Sequence, residues 1–227
     1  MPSKYTLPDN PHPGAVTASG NEIKALLAKG LADMGLSCSS TQQSSLLAYL
    51  GMLKQWNSTY NLTAIRDTRA MLTRHLLDSL AVTPFLRGHR FIDLGTGAGL
   101  PGVPLAIVSP QRSFDLLDGN GKKTRFLFQV RLQLGLANIH ELNKRVENHH
   151  PRETYDGILT RGFAGLSAMI DQARHILGEG GRFYAMKGKL IRQELAGVSE
   201  GFEVETVEKL YVPGLEEDRH LIIVRRT

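Results

Sequence analysis

Across 21–35 the apolar side chains Ile23, Leu26, Leu27, Leu31 and Met34 recur every three or four residues, the spacing of one buried helical face. A second run at about 41–57 puts Leu46, Leu47, Leu50 and Leu53 on one face, with Thr41 as its N-cap. A third covers 68–82 and stops before Pro84, so the chain begins with a helical layer. Beyond it the period changes. Short apolar runs at 90–95, 113–118, 138–142, 155–161 and 181–187 alternate with helical runs at about 101–108, 121–135, 165–177 and 189–196. That alternation predicts an α/β fold with a parallel sheet and helices on both faces. At the end, 202–211 and 219–226 are strand-like with only 212–218 between them, which predicts an antiparallel hairpin. Prolines at 2, 8, 11 and 13 mark 1–20 as a flexible tail. The expected division is tail 1–20, helical layer 21–88 and sheet domain 89–227.

Composition narrows this picture a little. With 41% hydrophobic and 22% charged residues the chain can fold, and 227 residues allow one core with an appendage. A lone cysteine, Cys38, excludes an internal disulfide and fits a reducing compartment. There is no long apolar run, and the first residues lack the hydrophobic core of a signal peptide. A cytoplasmic protein with no membrane partner is therefore expected. Lys and Arg exceed Asp and Glu by 27 to 22, which tilts the partner list towards polyanions such as RNA. A merely basic enzyme fits that excess equally well.

The chemistry concentrates at 91–102, Phe-Ile-Asp-Leu-Gly-Thr-Gly-Ala-Gly-Leu-Pro-Gly. A buried strand running into Gly95, Gly97 and Gly99 lets backbone come close to a ligand. Asp93 at the strand end opposes a diphosphate but suits a sulfonium and an α-ammonium, so the spacing favours S-adenosylmethionine over a dinucleotide. Two other readings stay open, a dinucleotide loop starting at Gly97 and a tight turn with no ligand. Asp118 ends the second strand, placed either to accept ribose hydroxyls or to cap the helix after it. The turn after the third strand, with Val146 and Glu147, lies under the adenine in this topology. Arg161 ends the fourth strand, facing the cofactor's reactive end. A Rossmann-like sheet that finishes in a hairpin is the methyltransferase variant of the doubly wound fold.

Taken together, these residues resemble the glucose-inhibited division protein B family, bacterial methyltransferases that modify guanine N7 in small-subunit (16S) ribosomal RNA. The resemblance rests on Trp56-Asn57-x-x-Tyr60-Asn61-Leu62-Thr63, Arg74-His75-x-x-Asp78-Ser79, the 91–102 loop, Leu117-Asp118 and Arg145-Val146-Glu147. It continues through Tyr155-Asp156-Gly157, Thr160-Arg161-Gly162-Phe163-Ala164 and 183–188, leaving out only the tail. Departures are Gly162, where alanine is usual, and Gly119-Asn120, where a serine commonly follows the acid. The resemblance implies a class I S-adenosylmethionine-dependent methyltransferase. Backbone at Gly95 and Leu100, the Val146-Glu147 turn and Arg161 would contact the cofactor, and the helical layer would help hold the RNA.

Absences bear on the reaction. Cys38 lies far from every strand end, so a cysteine-activated pyrimidine is not indicated. The turn 160–163 lacks the Asn/Asp-Pro-Pro-aromatic signature of amine methylation. Guanine N7 carries a lone pair and no proton, so positioning alone suffices. Expected RNA-backbone contacts are Asn61, Arg66, Arg69, Arg74, Lys122, Lys123, Arg125 and Lys187, each of which is also readable as a solvated charge. Phe163 is a candidate for stacking on the target base or for the core. His75 and Asp78, three apart on a helix, are positioning candidates or a lock between layer and sheet. His149-His150 reads as surface and no metal site is expected. A monomer is expected. The alternatives are a small-molecule or protein methyltransferase on the same fold, and a non-catalytic ribosome-assembly factor.

Overall fold

The computed structural model describes residues 18–162, 165–188, 195 and 197–227. Within them the strand-like runs join one seven-stranded sheet. Its strands are β1 (Arg90–Leu94), β2 (Ser113–Leu117), β3 (Ile139–Leu142), β4 (Tyr155–Arg161), β5 (Leu177–Lys187), β6 (Phe202–Lys209) and β7 (His220–Arg226). Their spatial order is β3-β2-β1-β4-β5-β7-β6. The first five are parallel, while β7 slots antiparallel between β5 and β6. Chain order reverses between β1 and β4, which is where open α/β sheets bind ligands.

The helices are α1 (Ala18–Asp33), α2 (Ser40–Tyr60), α3 (Thr68–Met71), α4 (Asp78–Leu80), α5 (Gly102–Val108), α6 (Gly121–Leu134) and α7 (Leu166–Ala173). Alternate strand residues face opposite ways. Phe91, Leu159, Tyr184 and Ile223 pack with α1, α2, α5 and α6, and Ile92, Ile158, Phe183 and Ile222 pack with α7. The helical layer and one sheet face thus share a single apolar cluster.

Several boundaries differ from the sequence reading. The N-cap of α2 is Ser39, not Thr41: Ser39 Oγ accepts from Gln42 N–H at 3.2 Å while Gln42 Oε1 accepts from Ser39 N–H at 2.8 Å, a reciprocal box that Thr41 cannot form. The third helix ends at Leu80, and a π segment, Leu72–Leu77, joins α3 to α4. Pro84 falls in a 3-10 turn, Thr83–Phe85. At the far end, α7 stops at Ala173 and β5 begins at Leu177, because Leu177 pairs with Tyr155 before the register shifts. The expected helix at 189–196 and residues 1–17 of the tail lie outside the described residues, apart from position 195.

Candidate functional site

The loop from β1 to α5 is built around one buried acid. Asp93 Oδ2 accepts from the Thr96 hydroxyl at 2.6 Å and from Gly102 N–H at 2.8 Å, tying both ends of the turn together. A Cβ at Gly102 would lie 2.3 Å from Leu116 Cδ2, so this glycine serves close packing of α5 on the sheet. Gly95 is different. Its φ of +65° favours glycine, yet a Cβ there would meet nothing within 4 Å, so the space beside it is open to a ligand. From the helical layer, Tyr49 Oη donates to Ala98 O at 2.7 Å and holds the loop from below.

Beside Gly95 a cleft of about 420 Å³ runs along the ends of β1, β2 and β3, lined by Asp118, Lys144, Arg145, Val146 and Glu147 among others. Asp118 braces it. Its Oδ2 accepts from Gly97 N–H at 2.9 Å, its Oδ1 from Asn120 N–H at 2.8 Å, and Lys123 Nζ stands 3.5 Å away. The cap of α6 is Asn120, whose Oδ1 accepts from Lys122 N–H at 2.9 Å, so Asp118 is not the cap. Each Asp118 oxygen keeps a lone pair for a hydroxyl at the cleft edge. Val146 is buried and Glu147 exposed, both in the turn that closes the cleft.

Two expectations for this side change. Asp93 is fully buried and does not line the cleft, so its carboxylate works beneath the loop and not as an open counter-charge. Burial lifts its pKa to about 6 against the pull of Thr96 and Gly102, and its Oδ1 has no hydrogen-bond partner. Leu100 is buried and its N–H is occupied by Thr96 O at 2.9 Å. The open space at Gly95 and the free lone pairs of Asp118 fit the adenosine end of S-adenosylmethionine.

Across the β1–β4 junction lies a second pocket, of about 360 Å³, lined among others by His75, Asp78, Arg161, Met186, Lys187 and Arg219. The π segment delivers His75 here, as π segments often do at functional sites. His75 Nδ1 lies 3.1 Å from Arg74 O and Nε2 lies 2.8 Å from Thr63 Oγ1, so Nδ1–H donates and Nε2 accepts. Burial, reinforced by Arg161, lowers its pKa to about 4 and keeps the ring neutral. Asn57 fixes Thr63 in turn, accepting from Thr63 N–H at 2.8 Å and donating to Ile65 O at 3.0 Å.

Asp78 does not bond His75. Its buried carboxylate sits between two guanidiniums, Arg161 Nη1 at 3.4 Å from Oδ2 and Arg219 Nε at 3.2 Å from Oδ1. Burial raises its pKa and the two arginines oppose the rise. Arg161 also donates to Arg74 O at 3.2 Å.

The RNA candidates differ in how each is engaged within the fold. Arg66 donates to Asn61 Oδ1 at 2.9 Å in an exposed pair, with Asn61 left-handed (φ +50°) at the end of α2. Arg74 pairs with Glu217, and Arg69 with Glu22 at 3.1 Å. Lys123 turns inward to Asp118, whereas Lys122 and Arg125 are exposed on α6. Lys187 lines the second pocket, where its place at the end of β5 predicts it. Phe163 lies outside the described residues. His149 is a correction: it is buried, with Nε2 2.8 Å from Tyr155 Oη, while His150 is exposed.

Arg219 and Tyr49 escaped the sequence reading. Arg219 stands alone before a strand with no local pattern around it, and Tyr49 is one more apolar position in a helix. Among the described residues no group of three or more His, Cys, Asp or Glu could hold a metal ion, and no helix is long and apolar enough to cross a membrane.

Residues 42–222 match the family model described as rRNA small subunit methyltransferase G. The chain is similar to a Salmonella typhimurium protein named ribosomal RNA small subunit methyltransferase G, 51% identical over 88% of this chain and 96% of that protein. By shape it is similar to a SAM-dependent methyltransferase from Aquifex aeolicus, with a TM-score of 0.54, 16% identity, and coverage of 68% of this chain and 92% of that one. A second structural likeness is a SAM-dependent methyltransferase from Thiobacillus denitrificans in complex with S-adenosyl-L-homocysteine. There the TM-score is 0.50 at 14% identity, covering 66% of this chain and 90% of that chain.

Proposed function

The chain belongs to the rRNA small subunit methyltransferase G family and is an S-adenosylmethionine-dependent methyltransferase; we propose that it methylates N7 of one guanine in 16S ribosomal RNA, with the residues and geometry described above. The carrying observation is the pair of pockets flanking the β1–β4 junction, one edged by backbone and Asp118, the other by neutral His75 and the Asp78 cluster.

S-adenosylmethionine, when bound, supplies an electrophilic methyl on a sulfonium. Gly95, Gly97, Asp118, Val146 and Glu147 would bind and orient the adenosine end, and Asp93 would act by holding the loop in shape. Guanine N7 needs no base, and His75 is in keeping with that: a ring that stays neutral, with both nitrogens engaged, positions neighbours and moves no proton. The protein's contribution is alignment and exclusion of water. Asn61, Arg66, Arg74, Lys122, Arg125 and Lys187 would meet the RNA backbone; Lys123, tied to Asp118, is better read as part of the cofactor side. The helical layer 21–88 and the sheet domain 89–227 would act as one working unit in a cytoplasmic monomer.

The test is methyl transfer from labelled cofactor to small subunits from a strain lacking this enzyme, mapped by scission at N7-methylguanine. Label at a single guanine is expected. Label on protein or a metabolite, with none on RNA, overturns the reading.

A further inference from the structure

Among the described residues the large hydrophobic side chains left exposed are Tyr60, Phe128, Leu132 and Tyr211. Only Tyr60 rests on a stack of rings. It lies on Trp56 with centroids 5.1 Å apart and planes 29° from parallel, and Trp56 leans on the fully buried Phe126 at 5.5 Å. The ladder thus rises from the core to the surface, and its last member keeps 40% of its surface exposed. The other positions lack such a platform. The Arg131 guanidinium lies over the Phe128 ring at 5.2 Å, Leu132 has no π face, and among the described residues no ring supports Tyr211. The ladder stands at the end of the sheet where the pockets open. α2 starts beside the close of α5, where Gln42 Nε2 donates to Ile107 O at 3.2 Å and Val108 O at 3.1 Å. It ends at Tyr60, three residues before Thr63, whose hydroxyl meets His75 in the second pocket. Exposed Arg66 returns alongside, held to Asn61 Oδ1 at 2.9 Å.

The chemistry of the substrate says what such a ring meets. N7 lies on the major-groove edge of guanine, and in an A-form RNA helix that groove is too deep and narrow for side chains to read. The target guanine therefore sits in an unpaired stretch or is turned out of its helix, and the bases flanking it lose stacking partners. An aromatic face replaces such a partner for any base, since every base has a π face. We propose that Tyr60 is a stacking platform for an unpaired base flanking the target guanine. Trp56 sets the angle of the ring, and Arg66 and Asn61 stand beside it for the sugar–phosphate strand. This rests on the RNA-substrate reading above and deepens it, adding a contact to a base where the charged candidates meet only the backbone.

The test compares Tyr60→Leu and Tyr60→Phe with the unaltered full chain, measuring affinity for unmodified 16S RNA across a salt series and S-adenosylmethionine affinity by calorimetry. Leucine keeps apolar bulk on Trp56 but offers no π face. Tyr60→Leu is expected to bind RNA about tenfold more weakly at every salt concentration, the loss of one stacked base. Its log–log salt slope should not change, because a stacked base releases no counterions. Tyr60→Phe, which keeps the ring, should bind RNA as the unaltered chain does. Cofactor affinity is expected to stay within about twofold in both variants, which also shows that they fold. RNA binding by Tyr60→Leu equal to that of the unaltered chain overturns the proposal and leaves the ring for a protein partner. A shallower slope overturns it too, since the loss would then lie in displaced phosphate contacts such as that of Arg66. Equal losses of RNA and cofactor affinity would make Tyr60 a brace for α2 and overturn it. Tyr60→Phe as weak as Tyr60→Leu would assign the contact to the hydroxyl and overturn it as well. Failure of the unaltered enzyme to label 16S RNA at all would instead remove the RNA reading, and this proposal with it.

Discussion

The two pockets beside the β1–β4 junction are made of different material. The cleft on the β2 side is shaped by main chain: glycines at positive φ, N–H groups of Gly97 and Gly102 pinned by Asp118 and Asp93, and little side chain at Gly95. The pocket on the β5 side is shaped by long side chains from distant segments, with Asp78 joined to Arg161 and Arg219. Backbone sites tolerate most side-chain changes except those that add bulk or alter φ. Side-chain sites fail when one charge is removed. The same fold therefore hosts one half that is robust and one that is brittle.

That contrast is easiest to break on the brittle side. Asp78→Ala should cost about 3 kcal/mol, at the low end for breaking a buried ion pair because both guanidiniums keep a solvent edge. Urea unfolding measures it, and a loss under 1 kcal/mol would mean water takes over the carboxylate's work. On the robust side, Gly95→Val should weaken cofactor binding about 100-fold, roughly 2.7 kcal/mol. Its stability loss should be smaller, on the order of 1–2 kcal/mol from the left-handed backbone alone. Calorimetry and thermal melting read the two separately. Equal losses would merge the two halves into one.

Acidity sharpens the comparison further, because each half holds one misplaced proton affinity of opposite sign. His75 is pushed from 6.5 to about 4, so the unfolded chain takes up a proton that the fold refuses, and stability falls as pH drops through that window. Asp93 is raised from 3.8 to about 6, so the fold holds a proton the unfolded chain releases; its contribution is full below the lower value and lost as pH rises through the upper. The two trends oppose each other between about pH 4 and 6. Relative to His75→Gln, the unaltered protein should therefore lose about 2 kcal/mol between pH 6.5 and about pH 5, seen as converging urea midpoints. Parallel curves would place a charged imidazole in the pocket.

The same division explains what could be read in advance. The cofactor side is local: a strand, a glycine-rich turn and an acid at the next strand tip all fall within 91–118, and each leaves a mark on composition. Even there, the burial of Asp93 under the start of α5 and the bond from Leu100 N–H to Thr96 O arise from how the turn closes, which composition does not record. The other pocket assembles residues 141 positions apart in the chain, Asp78 and Arg219, and no periodicity links them. The π segment hid there as well, since one extra residue per turn merely blurs a helical pattern. Swapping Thr41 for Ser39 as the cap was a missed reciprocal signal, Ser39 with Gln42 three residues on, which the sequence did contain.

The placement of β7 has an outcome in time as well as space. It is threaded between β5 and β6 although it follows both in the chain, and it brings Arg219 at its threshold. Chains leave the ribosome at about 5–20 residues per second and fold from the N-terminal side. During synthesis β6 therefore emerges before β7, its only neighbour in the sheet, and Asp78 emerges long before Arg219. The edge of the sheet and the ion cluster at Asp78 can be completed only once the last strand has been made.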